Sequence, residues 1–368
     1  MSSTTTAARP MSLSIASTQR NRKLSRLSLQ RADRYISRNS VIVPRLVIGA
    51  LVLTGVLFPS LYHHSISSLY SHLYKSRFYN LSTFETIETF LVYAILEPLY
   101  TVKFTRNPGL RLDVRGSNPN GLRDISENPK WPRMRRPSRR LREMATFAAP
   151  LLLMDLAMIK KFAGVPLTDI RRSGGYTAVP SHSERISASF LAPTIHNLSL
   201  SSPLQLVRAL PVEPPSSRRI MLELIVSFFI YDMLFFFIHL AFHRLSLLRQ
   251  FHQPHHKHAE INPQVTNQLS VVERMSLILL ANFSLNIIGS HVLTRTMFVP
   301  IFVYLLIEIH CGLDLEWGYD KILPNGWGAG SRKHAVHHRE GEGSYEPYFC
   351  WWDRGLSLLE SPAEAMWS

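Results

Sequence analysis

Apolar and polar residues along this chain are gathered into separate blocks rather than mixed at short period. A soluble globule alternates the two every few residues, whereas a chain built for a bilayer segregates them. A spanning helix needs about 20 largely apolar residues to cross a hydrocarbon layer about 30 Å thick. Six runs approach that description. The first covers 42–62, IVPRLVIGALVLTGVLFPSLY; a second, 85–102, is interrupted by Glu85, Glu88 and Glu97; a third, 144–159, is short. The fourth, 220–242, is the strongest, and the last two, 271–290 and 296–312, are separated only by HVLTR and predict a helical hairpin. The pattern predicts an all-α integral membrane helical bundle.

Charge orients the bundle. Arg20, Arg22, Lys23, Arg26, Arg31, Arg34, Arg38 and Arg45 precede the first span against Asp33 alone. By the positive-inside rule residues 1–41 form a cytosolic tail, read as disordered because it has no apolar core of signal-peptide type. The second basic loop, Lys130 to Arg142 (KWPRMRRPSRRLR), belongs on the same side, which two intervening spans satisfy. If 144–159 crosses, the Pro- and Ser-rich stretch 164–218 is lumenal, and so are the sequons at Asn80 and Asn197. The fourth helix then delivers His239 and His243 to the cytosolic face, and the hairpin returns His310 to it. Three regions follow: the tail 1–41, an N-terminal membrane region 42–219 with the basic loop, and a catalytic region 220–368.

The net charge of +15 fits an anionic membrane surface, and no zinc finger or aromatic RNA-binding signature points to nucleic acid as a partner. The two cysteines, Cys311 and Cys350, lack metal-ligand spacing; Cys311 reads as a buried small residue.

The candidate chemistry lies in the histidines. His239 and His243 are four apart and share a helical face. His252, His255 and His256 have the spacing HxxHH, which His334, His337 and His338 repeat. In such a box the first and the third or fourth positions can share one side of a turn while the remaining ring swings toward a second ion. These eight, with His310 as a ninth candidate, exceed the roughly four ligands one zinc takes. They predict two metal ions at one cytosolic cap. All-nitrogen ligation suits Zn, Cu, Fe or Ni. A hydrolytic zinc site normally brings a base, as in HExxH, but this box reads HLAFH. Two nitrogen-ligated irons with open positions suit O2 chemistry, with the apolar spans holding a hydrocarbon against them. His291, at the far tip of the hairpin, is expected not to be a ligand, nor are His63, His64, His72, His182 and His196; His258 is open between an orienting and a surface role. Asp232, seven before His239, Glu308 and Asp314, which flank His310, and Asp353 beside Trp351 and Trp352 are candidates to orient the imidazoles.

The sequences HLAFHR, FHQPHH and KHAVHH resemble the three histidine boxes of the fatty acid hydroxylase/sterol desaturase superfamily of membrane non-haem diiron oxidases. The likeness covers roughly Ile230 to Leu356, and SVVERMSL, GSHVLT, EIHCGLD and YEPYFCWWDRGL resemble cholesterol 25-hydroxylase-type and sphingoid-base C4-hydroxylase-type members. The resemblance implies an endoplasmic-reticulum enzyme with two Fe ions, for which zinc can substitute in a purified sample. It implies O2 and electrons from NAD(P)H, relayed by cytochrome b5 or a reductase, and hydroxylation or desaturation of a sterol, sphingoid base or fatty acyl chain. The ligands it implies are His239, His243, His252, His255, His256, His310, His334, His337 and His338. Ala335, where members often have Asp, Ser344, where many have Asn nearby, and WWDRGLSL in place of WDxxxGT depart from the pattern. The competing expectation is a zinc-dependent membrane lipid hydrolase, which leaves most histidines unused. A metal transporter would place histidines at mid-membrane depth.

Overall fold

Ser216 opens the longest helix among the described residues by accepting a hydrogen bond from the Arg219 amide at 3.2 Å, and no proline or glycine interrupts the next 28 residues. In this computed structural model residues 38–112, 137–175, 204–258 and 260–366 are described. The basic tail through residue 37, most of the basic loop and Asn197 lie outside them. Every regular element among the described residues is helical: α1 Arg38–Leu57, α2 Ser60–Lys75, α3 Phe84–Arg106, α4 Pro137–Ala157, α5 Leu167–Ser173, α6 Ser217–Arg244, α7 Ser246–His256, α8 Val271–Ile287, α9 Val292–His310, α10 Tyr319–Ile322, α11 Gly330–Glu340 and α12 Trp351–Met366.

Among the described residues α6 and α9 are long and apolar enough to cross a membrane, and α1 with α2 makes a third candidate, bent by 91°. The run 42–62 is therefore not one straight helix; the chain turns at Pro59, which begins α2. The runs at 85–102 and 144–159 form α3 and α4, but both carry ionised residues and neither meets that description; α8 has 17 residues. The charges on α3 and α4 have buried partners. Glu85 accepts from Arg208 at 3.0 Å and from Arg295 at 3.0 and 3.2 Å, and Asp155 pairs with Lys160. Intramembrane charge is tolerated when it is paired in this way.

Helix α9 packs along α3, and α6 against α1, α7 and α8. Helices α1 and α6 run antiparallel, with Ser217 Oγ and Arg218 Nε donating to the Gly55 and Val56 carbonyls. At the other end of α1, the Arg45 guanidinium donates to the carbonyls of Lys321, Ile322 and Leu323. Residue Arg45 therefore sits beside the segment that joins His310 to α11. Beyond α9 the chain turns through Gly312, at φ 65°, where a Cβ would lie 2.1 Å from the Ile261 carbonyl oxygen. Only glycine fits there, both for its positive φ and for that approach. Cys311, next to it, is fully buried.

Candidate metal centre

Four elements bring the histidines together: the last two turns of α6, α7, the end of α9, and α11. One group holds His239, His243, His252, His256 and His337; the other holds His255, His310, His334 and His338. Within each group the candidate ligand atoms all lie within 4.8 Å of one another.

Helical period explains the division. In α7, His252 and His256 are one turn apart and serve the first group, while His255 points to the second. In α11 the roles reverse: His334 and His338 serve the second group and His337 crosses to the first. The first and last positions of each HxxHH box share a group, and the middle histidine links to the other. Helix α6 adds its i, i+4 pair to the first group, and α9 adds His310 to the second.

Hydrogen bonds fix which nitrogen faces inward. The Nδ1–H groups of His239, His337, His256 and His310 donate to the carbonyls of Tyr345 (2.8 Å), Gly343 (2.7 Å), His338 (3.3 Å) and Leu306 (2.8 Å). A carbonyl only accepts, so each of these rings carries its proton on Nδ1 and presents a bare Nε2 lone pair. The Nε2 atoms then face one another. His252 lies 3.1 Å from His239 and 2.9 Å from His256, and His337 lies 3.1 Å from His239. In the second group His310 lies 3.2 Å from His255 and 3.0 Å from His334, which is 3.0 Å from His338. Converging lone pairs at such distances repel unless a cation lies among them. The donor set therefore fits a metal ion in each group, and neutral imidazole is a common ligand for zinc, copper, iron and nickel.

Burial reinforces the demand. His337 is fully buried and most of the others nearly so, with His243 and His256 half-buried. Burial, with the neighbouring imidazoles next, pushes His252, His255, His334, His337 and His338 well below the ordinary imidazole pKa. These rings are neutral at neutral pH and ready to ligate.

None of the four acidic candidates touches a histidine. Asp232 shares a face of α6 with His239 but lies seven residues, about 10 Å, along the axis; its Oδ1 accepts from the Tyr348 and Phe349 amides at 2.9 and 3.2 Å. Glu308 accepts from the Tyr319 amide at 2.7 Å, because the helix turns it away from His310. Asp314 is drawn outward into ion pairs with Lys321 and Arg332. Asp353 accepts from the Tyr345 and Glu346 amides. The carboxylate that does reach an imidazole is Glu273, whose Oε1 accepts from His252 Nδ1 at 2.6 Å. The stretch Ser270-Val-Val-Glu273 has the form of a capping box, and Ser270 does accept from the Glu273 amide at 3.1 Å. The glutamate carboxylate, however, binds His252, so its local signature disguised its place in the site. His258 takes an orienting position, with Nε2 2.8 Å from His338 Nδ1. His291 caps α9 by accepting from the Leu293 amide at 3.1 Å, and Glu223 near the start of α6 accepts from its amide. It lies at the opposite end of the bundle from the two groups.

A family model described as Fatty acid hydroxylase matches residues 224–357. Among curated proteins, a cholesterol 25-hydroxylase-like protein of Danio rerio is 32% identical over 148 residues, which cover 40% of this chain and 59% of the relative. Cholesterol 25-hydroxylase of Homo sapiens is 31% identical over 153 residues, 41% of this chain and 56% of the relative. Methylsterol monooxygenase erg25A of Aspergillus fumigatus is 29% identical over 156 residues, 40% of this chain and 50% of the relative. The chain thus spans little more than half the length of the curated relatives it matches. No solved structure matches. All nine candidate histidines fall inside residues 224–357, the segment that matches the Fatty acid hydroxylase model.

Proposed function

We propose that this chain is a membrane-bound diiron oxygenase that hydroxylates or desaturates a lipid, such as a sterol, sphingoid base or fatty acyl chain, with O2 and electrons from NAD(P)H. The observation that carries this reading is the pair of converging imidazole clusters, one of five histidines and one of four, at the ends of the two single helices that are long and apolar enough to cross a membrane among the described residues. Iron held there would supply the oxidising power toward a C–H bond. The named relatives, sterol hydroxylases and a methylsterol monooxygenase, support a lipid substrate.

The protein's own groups then have three tasks. The inward Nε2 atoms bind. The carbonyls of Tyr345, Gly343, His338 and Leu306, with Glu273, hold each ring in one tautomer and orientation. Burial of the imidazoles keeps bulk water from the ions. Proton abstraction by a side chain is not required, and both groups consist of histidine alone. A zinc hydrolase would want a carboxylate base beside its bound water; Glu273 instead faces the outer nitrogen of His252.

The reading places the enzyme in the endoplasmic-reticulum membrane with the histidine end cytosolic, where cytochrome b5 or a reductase delivers electrons. The Arg45 latch supports this orientation, because it sets the start of the first helix, which the Arg-rich sequence precedes in the chain, beside the segment that leads into α11. Metal analysis with Mössbauer spectroscopy on detergent-purified protein tests the proposal: two irons per chain are expected, with NAD(P)H- and O2-dependent oxygenation of an added lipid. Stoichiometric zinc with amide hydrolysis, or no bound metal, would overturn it.

A further inference from the structure

Between α11 and α12 the loop 341–350 supplies the two carbonyls that orient His239 and His337. Both rings belong to the five-histidine group. The loop backbone is unusual. Gly341 and Gly343 have φ of 71° and 67°, and Ser344, at 53°, is the only non-glycine residue with positive φ among the described residues. A serine held in the left-handed region costs energy and persists only when its surroundings impose it. That strained residue lies directly between the two accepting carbonyls, at positions 343 and 345.

Three carboxylates impose the conformation, Asp232 and Glu346 buried and Asp353 half-buried. Asp353 Oδ1 and Oδ2 accept from the Tyr345 and Glu346 amides at 2.9 and 3.1 Å. Glu346 replies across the loop, accepting from the Trp351 and Asp353 amides at 2.9 and 2.8 Å. Asp232, on α6, accepts from the Tyr348 and Phe349 amides. Rings add a staple: Phe229 of α6 stacks on Phe349 and Trp351 at 4.8 and 4.9 Å between centroids. Six backbone N–H groups of the loop and the start of α12 thus terminate on three side chains that touch no histidine.

We propose that Asp232, Glu346 and Asp353 are positioning residues that clamp this loop so that its carbonyls set the ring orientation of the five-histidine group, and of that group alone. The inference rests on the metal-binding reading above and deepens it. Its distinctive content is selectivity. The four-histidine group takes no hydrogen bond from the loop in its orientation, since His310 uses Leu306 and His338 uses His258.

The test is iron stoichiometry and Mössbauer spectra of the full-length chain in detergent. Asp353→Ala removes two of the clamp's acceptors. Ser344→Pro, whose φ is fixed near −65°, breaks the loop conformation without touching the clamp, and Ser344→Gly tolerates it. Asp353→Ala and Ser344→Pro are each expected to weaken metal binding about 10- to 100-fold at one site, leaving one iron per chain with an unchanged spectrum. Ser344→Gly should retain both, and Asp353→Asn, which keeps one acceptor, should fall between. Two irons with unaltered spectra in both disruptive variants, or equal loss of both irons, would overturn the clamp. A wild-type protein that binds no metal would instead remove the reading beneath it.

Discussion

In the five-histidine group every imidazole is tied to a partner: His239, His337 and His256 to carbonyls, His243 to the Gly341 backbone and His252 to Glu273. In the four-histidine group, among the described residues, only His310 reaches a carbonyl, His338 leans on His258, and the buried Nδ1 atoms of His255 and His334 have no hydrogen-bond partner. The same two HxxHH boxes feed both groups, so the ligands are alike and the scaffolding differs. Five imidazoles would leave a bound ion fewer free positions than four would. The more rigidly oriented group is the more nearly filled; the group with more room is held more loosely.

Removing ligands breaks this comparison most sharply. His334→Ala or His310→Ala leaves three imidazoles in the smaller group, whereas His243→Ala leaves four in the larger. Lipid oxygenation is expected to fall by at least about 1,000-fold in the first two, with loss of one iron, and by less in His243→Ala; metal analysis beside turnover checks both. Next in size is Glu273→Ala, expected to cost about 10- to 100-fold in metal affinity at the five-histidine position. Glu273→Gln, whose amide oxygen still accepts from Nδ1, should cost less. Chelation separates the groups by rate: at neutral pH the ion held by four histidines should leave first, read as the order in which the two Mössbauer components vanish. The smallest effect belongs to Asp314→Asn. Its ion pairs with Lys321 and Arg332 are partly exposed, so thermal stability should change by no more than about 1 kcal/mol, with both irons kept.

The histidines were legible because a helix has a fixed period: spacings of three and four select a face whatever surrounds them. All nine residues taken from the boxes and from His310 come together in the fold. Their allocation into five and four was not legible, since it depends on how α7 and α11 face each other across the site. Helix identity was readable from hydropathy, but span count was not. Glu85, a blemish in an apolar run, is matched by Arg208 and Arg295, more than 100 residues away along the chain. Glu273 was hidden by a cap motif that explains it locally. The acidic candidates near His239 and His310 bind elsewhere for separate reasons: Asp232 is two turns along α6 from His239, Glu308 lies on another side of α9 from His310, and Asp314, beyond the end of α9, pairs with Lys321 and Arg332.

The contact of Arg45 with the Lys321 carbonyl joins residues 276 positions apart. At a synthesis rate of about 5–20 residues per second, the first helix waits roughly 14 to 55 seconds for its partner to leave the ribosome. During that interval the imidazoles of α6 and α7 exist without those of α11, which alone contributes to both groups from the late end of the chain. Cofactor loading is thus a terminal event in the birth of this protein. A nascent chain stalled before residue 334 would own six of the nine histidines, four of one group and two of the other, and nothing to close them.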